Sequence, residues 1–357
     1  MKKAVFRVDS SYFIGSGHLM RCLTLAEELK NEEYAVKLIC RELPGNLIEI
    51  AENKGFPVKR LPWPENKEYR PVDGEYITWL GVSKEQDAQE TVEIIKAENP
   101  DLLIIDHYAL DIEWEKKMRP FVKKIMVIDD LANRQHDCDI ILDQNLVENM
   151  EARYDKLVPP HCQKLLGPDY LLLRSEFREA RKKLRKRDGK IRRILIFMGG
   201  TDYYNITEKA IKAFLMLKRS DIIADVVVGK ANPHKEKIKA LCDEHPNLNY
   251  HCQVDNMAEL MLKADLAIGG GGTAAWERCY LGLPSIVIEF AENHKNIAEY
   301  LAKKNAIVLI KKALDSSIIT EELKRLILND VCVRKISKNA FGMFYDLSEP
   351  LIKTIFK

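Results

Sequence analysis

The chain has 357 residues, enough for two domains with substantial cores. Fifty-six basic side chains against 54 acidic ones leave no net field to steer a nucleic acid or an anionic membrane, so neither is expected as a partner. No apolar stretch approaches the roughly 20 residues a membrane-spanning helix needs, and the eight cysteines include no C-x-x-C pair, which argues for reduced thiols in a cytoplasm and against a zinc site or disulfide framework.

Short apolar runs alternate with amphipathic stretches from end to end. In the first half the spacing predicts strands over 3–8, 35–40, 102–105, 124–128 and 139–142, and helices over 18–30, 87–98 and 111–119. The opening segment turns polar after six residues, so it reads as a strand and not as a signal peptide. Residues 62–84, with Pro62, Pro64, Pro71 and Gly74, read as an irregular loop.

A charged stretch, Arg181-Lys182-Lys183-Leu184-Arg185-Lys186-Arg187-Asp188-Gly189-Lys190, reads as a solvated helix face plus linker. The alternation restarts near 191, with strands expected over 192–198, 223–228, 248–252, 265–269, 284–288 and 306–310. Helices are expected between them over 204–218, 234–244, 256–263, 273–281 and 294–304. Continuous apolar strands such as Leu102-Leu103-Ile104-Ile105 suit a parallel sheet covered on both faces. The fold class is therefore α/β, doubly wound, with domains over 1–185 and 190–333 and a ligand cleft expected at the carboxyl ends of the strands.

The first strand runs into Asp9-Ser10-Ser11-Tyr12-Phe13-Ile14-Gly15-Ser16-Gly17-His18, where a helix begins. Gly15 and Gly17 let the backbone approach a ligand, and the helix start offers unpaired N–H groups to an anion. A dinucleotide fingerprint would need a glycine where Met20 stands and an acidic residue where Cys40 and Arg41 end the second strand, so a nicotinamide or flavin cofactor is not expected. His18 at the helix mouth is either a structural histidine or a general base, and Arg21 pairs with a phosphate, with Asp9 or with solvent-facing charge.

In the second half, Gly269-Gly270-Gly271-Gly272-Thr273 follows a strand and opens a helix carrying Glu277. Such a turn is either a nest of N–H groups for a pyrophosphate or a device for tight packing. Glu277, about one turn on, suits the two hydroxyls of a ribose. Gly199-Gly200-Thr201-Asp202 makes a second backbone-rich loop, and neither loop fits a Walker A motif. Asn293 or His294 is a sugar contact or a helix cap. The pair Asp129-Asp130 lacks a third carboxylate placed by sequence, so no metal is assigned.

These residues carry a resemblance. Arg7-Val8-Asp9-Ser10-Ser11 with Ile14-Gly15-x-Gly17-His18-x-x-Arg21 resembles the start of the UDP-2,4-diacetamido-2,4,6-trideoxy-β-L-altropyranose hydrolases of pseudaminic acid biosynthesis. The likeness continues through Asp106-His107-Tyr108, Ile128-Asp129-Asp130-Leu131-Ala132, Leu142-Asp143-Gln144-Asn145-Leu146 and Leu166-Gly167-Pro168-x-Tyr170-x-Leu172-Leu173-Arg174-x-Glu176-Phe177. From Gly270-Gly271-Gly272-Thr273 through Glu277 and Leu281-Gly282-Leu283-Pro284 to Asn293, the chain also resembles the UDP-binding domain of the lipid II-forming N-acetylglucosaminyltransferase.

The resemblance implies the GT-B fold, with the last helices, over 334–357, packing back on the first domain. It implies a UDP-sugar substrate, no metal and no other cofactor. His18 would be the base that activates water against the anomeric carbon, with inversion. Arg174 and the N–H groups of Gly200, Gly271, Gly272 and Thr273 would hold the diphosphate, Glu277 the ribose, and main chain near Val254-Asp255-Asn256-Met257 the uracil. Tyr108 and Asn293 would touch the sugar, with Asp9, Gly15, Gly17 and Arg21 completing the substrate contacts. The family commonly has Gln where His294 stands.

Two other functions fit the same fold: a glycosyltransferase for surface or spore-coat polysaccharide, and a non-catalytic nucleotide-sugar binder. No run of exposed apolar and basic residues suited to a lipid acceptor stands out in the first domain, and a binder leaves His18 unexplained. With near-neutral charge and no heptad segment, a monomer is the default.

Overall fold

The computed structural model describes residues 1–64, 68–290, 292, 295–311, 315–344 and 351–355. The chain divides into two compact units, Met1–Leu172 with Leu347–Lys357, and Leu173–Asp346. Both are helix-covered parallel sheets, the architecture expected from the alternating apolar and amphipathic segments.

In the N-terminal unit the strands are β1 (Lys3–Val8), β2 (Ala35–Arg41), β3 (Val58–Leu61), β4 (Leu102–Asp106), β5 (Lys124–Ile128), β6 (Ile140–Asp143) and β7 (Gln163–Leu166). They pair in parallel in the order β3-β2-β1-β4-β5-β6-β7. The helices are α1 (Gly17–Asn31), α2 (Ile48–Asn53), α3 (Lys84–Glu98) and α4 (Ile112–Met118). Local chemistry sets their ends. Ser83 accepts from the Gln86 N–H to start α3, Asn99 closes it with φ +46°, and Asp111 caps α4. One face of the sheet buries Val5, Ile39, Leu103, Ile105, Val127 and Ile141 together with Ile95 and Trp114.

The strand order reverses between β1 and β4, which are paired with Val8 opposite Asp106. Segments that leave the carboxyl ends of two strands at such a switch point diverge, and the gap between them admits a ligand.

The C-terminal unit repeats the plan. It contains α5 (Ser175–Lys182), β8 (Arg193–Phe197), α6 (Ile206–Leu215), β9 (Ile223–Val228), α7 (Lys235–Asp243), β10 (Leu248–Cys252) and α8 (Met257–Lys263). It continues through β11 (Leu266–Gly270), α9 (Thr273–Tyr280), β12 (Ser285–Glu289), α10 (Lys295–Lys303), β13 (Val308–Lys311), α11 (Ser316–Ile327) and α12 (Asp330–Phe341). Its parallel sheet has the order β10-β9-β8-β11-β12-β13, so the switch point lies between β8 and β11.

Three features differ from the sequence expectation. The charged stretch that starts in the last turn of α5 is not a free linker, because its arginines grip the carbonyl ends of two helices. Arg187 donates to Met261, Ala264 and Leu281 oxygens, Arg185 to Leu262 and Lys263 oxygens and to Asp265, and Arg181 to the Tyr280 oxygen while lying over the Tyr280 and Phe341 rings. Guanidinium groups at helix carboxyl ends satisfy orphan carbonyls and oppose the dipole. The stretch therefore belongs to the C-terminal unit, which begins at Leu173.

The return to the N-terminal unit is also shorter than expected. Helix α12 packs on α9 and α11 within the C-terminal unit, whereas α13 (Ile352–Ile355) lies against α1, where the Ile352 N–H donates to Glu28 Oε2 at 3.2 Å. Finally, β3, β7, α2, α5 and α11 fall outside the expected elements. No helix among the described residues is long and apolar enough to cross a membrane.

Candidate active site

The loop from β1 to α1 is shaped by its own side chains. The Ser11 hydroxyl accepts from the Phe13 and Ile14 N–H groups, Gly15 takes φ +79°, and Gly15 N–H closes back on the Ser11 oxygen. A side chain at Gly15 would strain this left-handed turn. Ser16 caps α1 without a side-chain hydrogen bond, so Gly17 and His18 open the helix with unclaimed first-turn N–H groups.

His18 and Arg21 then sit one helical turn apart on the face that meets the end of β4. His18 Nδ1 lies 2.6 Å from Asp106 Oδ1. Arg21 forks onto the same carboxylate, Nε to Oδ2 and Nη2 to Oδ1 at 2.7 Å each, and its Nη1 donates to Asp130 Oδ2 at 2.7 Å. Asp130 also accepts from the Tyr108 hydroxyl and from Asn145 Nδ2 at 2.5 Å. Burial pushes the Asp106 carboxyl up, but Arg21 and His18 outweigh it and hold the group well below the usual carboxylate range. With Asp106 ionised, the imidazole proton belongs on Nδ1, and Nε2 is left as the basic nitrogen.

An aromatic wall encloses the imidazole. Its ring meets Tyr108 edge-on at 4.6 Å between centroids and Trp79 at 5.8 Å, and Tyr76 packs on both at 5.0–5.1 Å. Trp79 and Tyr76 come from residues 62–84, which sequence reasoning left without a role. Tyr69 from the same segment ties it down by donating to the Trp79 carbonyl oxygen.

Several sequence candidates are placed differently than expected. Asp9 is buried at 1% exposure, and its oxygens are taken by Arg7 (2.6 and 2.9 Å) and the Arg41 N–H (2.6 Å). These bonds make it an anchor beneath the loop. Arg21 pairs with Asp106 and Asp130 and not with Asp9. Tyr108 is buried with its hydroxyl committed to Asp130, so its ring, not its hydroxyl, faces His18. Asn293 and His294 lie outside the described residues.

In the C-terminal unit, the four-glycine run has two functions. Gly269 and Gly270 belong to β11, where a methyl group would collide with the Arg278 guanidinium or the Phe290 ring, so packing alone requires them. Gly271 and Gly272 form the turn. Gly272 caps α9 with no side chain, so the first N–H groups of that helix, at Thr273 and Ala274, have no side-chain cap. Gly200 follows β8, the neighbouring strand, and Asp202 beside it caps α6 by accepting from the Ile206 and Thr207 N–H groups. Glu277 sits one turn into α9 and accepts from Arg174 at 2.9 and 3.1 Å, while Arg174 also pairs with Glu176 at 2.6 Å. The two residues singled out for ribose and diphosphate are therefore bonded to each other.

Residues 193–349 match the glycosyltransferase family 28 C-terminal domain. Over its full length the chain superposes on the spinosyn rhamnosyltransferase SpnG with a TM-score of 0.65 at 15% identity, covering 100% of each chain. The chain has the GT-B fold. Among sequences, this GT-B chain is 29% identical over 304 residues to the UDP-2,4-diacetamido-2,4,6-trideoxy-β-L-altropyranose hydrolase of Campylobacter jejuni, covering 85% of this chain and 97% of the relative. That match bears out the resemblance drawn from the motifs. A spore coat polysaccharide biosynthesis protein of Bacillus subtilis is 27% identical over 221 residues, 59% of this chain and 62% of the relative.

Proposed function

We propose that the chain hydrolyses a UDP-linked 2,4-diacetamido-2,4,6-trideoxy hexose of the altrose type, releasing UDP and the free sugar for pseudaminic acid biosynthesis. The observation that carries this reading is the His18–Asp106 pair, formed where the first turn of α1 meets the carboxyl end of β4. It is joined by the 29% identity to a hydrolase of that substrate over nearly all of the relative's length.

In the proposed reaction His18 Nε2 takes a proton from water, whose oxygen attacks the anomeric carbon. The bond from that carbon to the β-phosphate oxygen breaks with inversion, and UDP departs with the electron pair. A positioned base contributes roughly 10²–10⁴ in rate. Stabilising the departing diphosphate falls to the N–H groups of Gly271, Gly272 and Thr273, with Gly200 alongside and Arg174 as the cation. Glu277 exchanges its bond to Arg174 for the ribose hydroxyls. Asp106 and Asp130 need no cation to neutralise them, because Arg21, Tyr108, Asn145 and His18 already occupy their oxygens. That arrangement is consistent with the metal-independent reaction proposed.

The test is UDP release from the UDP-diacetamido-trideoxy-altrose without acceptor and with EDTA present. Release that falls at least about 100-fold in His18→Ala supports the hydrolase. Release only on addition of a saccharide or lipid acceptor supports the second reading, a GT-B glycosyltransferase. The likeness to a spore coat polysaccharide protein favours that alternative, in which His18 deprotonates an acceptor hydroxyl.

A further inference from the structure

Behind the glycine turn lies a cation with no ion pair among the described residues. Arg278 is 1% exposed, and its Nη2 donates to the Gly270 carbonyl oxygen at 2.6 Å and its Nε to Ser285 Oγ at 3.2 Å. Nη1 is buried without a hydrogen-bond partner, and no carboxylate among the described residues pairs with the group. Glu277, next to it in sequence, is bonded to Arg174 instead. Burial pulls the guanidinium down to about 10, so it remains cationic at neutral pH. Its hydrogen bonds go to neutral acceptors, Glu277 acts on it only through space, and a buried charge so placed is costly unless something else neutralises it.

The bond to Gly270 also has a directional consequence. In a planar trans peptide the C=O and the following N–H point in opposite directions. Because Arg278 holds the Gly270 oxygen, the Gly271 N–H is turned away from the guanidinium, next to a helix start that no side chain caps. The guanidinium is fixed at the start of that turn by its own helix: it is six residues into α9, and long helical side chains lie back toward the amino end.

We propose that Arg278 is the buried positioning residue of a diphosphate site at the Gly271–Thr273 turn, orienting the Gly270–Gly271 peptide and supplying the charge that the bound anion neutralises. The proposal rests on the UDP-sugar reading for the identity of the ligand, but the anion site itself does not. Arg278 does not touch the ligand; it acts through the peptide and through the field beneath it.

Calorimetric titrations of UDP, uridine and inorganic pyrophosphate into the whole protein test it. Arg278→Met is expected to weaken UDP and pyrophosphate about 10- to 100-fold and leave uridine within about twofold. Arg278→Lys keeps the charge but cannot bridge Gly270 and Ser285, so it falls between. A role in packing alone would weaken uridine and UDP equally, and that result, or unchanged UDP binding in folded Arg278→Met, overturns the proposal. Should Arg278→Met not fold, Ser285→Ala decides: removing the Nε acceptor is expected to weaken UDP and pyrophosphate a few-fold with uridine unaffected, and unchanged affinities overturn it. If the unaltered protein binds pyrophosphate but not UDP, the nucleotide reading fails while the anion site stands.

Discussion

His18 and Asp106 are 88 residues apart in the chain and 2.6 Å apart in the fold, because the parallel order sets the end of β4 beside the end of β1. The carboxylate that orients the imidazole is itself fixed by the Arg21 fork. Asp106→Asn keeps the shape but replaces an acceptor-only oxygen pair with an amide that can donate, so the ring is no longer held in one tautomer. On the hydrolase reading kcat falls about 10²–10⁴-fold with little change in KM. Arg21 retains Asp130, so the variant is expected to fold, which circular dichroism checks. An activity near that of the unaltered protein would remove Asp106 from the mechanism.

How much of this was legible in the sequence depended on whether the signal was local. The glycines before α1 and the turn before α9 announce themselves by spacing, and the central strands by unbroken apolar runs. The edge strands β3 and β7 do not, because Lys59, Arg60, Gln163 and Lys164 are exposed and break the pattern. Asp106 was visible as the end of a strand, but its partnership with His18 requires the strand order. The same holds for Asp130, read as half of an incomplete metal pair and found bound to Arg21, Tyr108 and Asn145. Trp79 and Tyr76 were hidden because a proline-rich segment without periodicity gives no sign of which way its side chains turn.

Trp79 is the aromatic contribution of that segment. With Tyr108 and Tyr76 it restricts the imidazole ring, and its carbonyl anchors Tyr69. Trp79→Ala is expected to cost about 3–5 kcal/mol in stability, as large-to-small changes at buried aromatic positions do. Trp79→Phe retains most of the contact but leaves His18 room to rotate. We expect about a tenfold loss in kcat at nearly constant KM, since small misplacements of a catalytic group are costly. Urea melts and steady-state kinetics on the two variants separate the structural part from the catalytic part; equal losses in KM and kcat for Trp79→Phe would contradict the positioning role.

Glu277 and Arg174 form a half-buried pair whose carboxylate is the proposed ribose ligand. Glu277→Gln retains size and a hydrogen-bond acceptor but loses the charge. Charge-assisted hydrogen bonds contribute about 1.5–3 kcal/mol, so UDP binding should weaken about 10- to 100-fold. 2′-Deoxy-UDP, which lacks one of the two hydroxyls, should lose markedly less. Titration calorimetry with both ligands provides the comparison, and equal losses for the two would place Glu277 away from the ribose.

Asp143 gives the protein an unusual dependence on pH. It is buried, accepts from Asn145 and from the Tyr154 hydroxyl at 3.0 Å, and lies near Asp130. Burial first, and Asp130 second, push its carboxyl up to about 7 from an ordinary value of 3.8. Between those two values the native state holds a proton that the unfolded chain has released. The stability Asp143 contributes is therefore complete below about pH 4 and is lost as the pH rises through about 7. Asp9, Asp106 and Asp129 act in the opposite sense: their carboxyls are held low, and the stability they contribute is lost only as the pH falls below about 4. Asp143→Asn removes the first effect and leaves the second. His107, held low by burial, and Asp202 and Glu176, pushed up by burial, tilt both proteins alike, so urea denaturation at pH 5, 6, 7 and 8 should show the variant gaining stability relative to the unaltered protein as the pH rises, by a few kcal/mol at most. Parallel profiles would mean that Asp143 is already ionised at pH 5, with Arg153, 2.8 Å away, as its counter-charge.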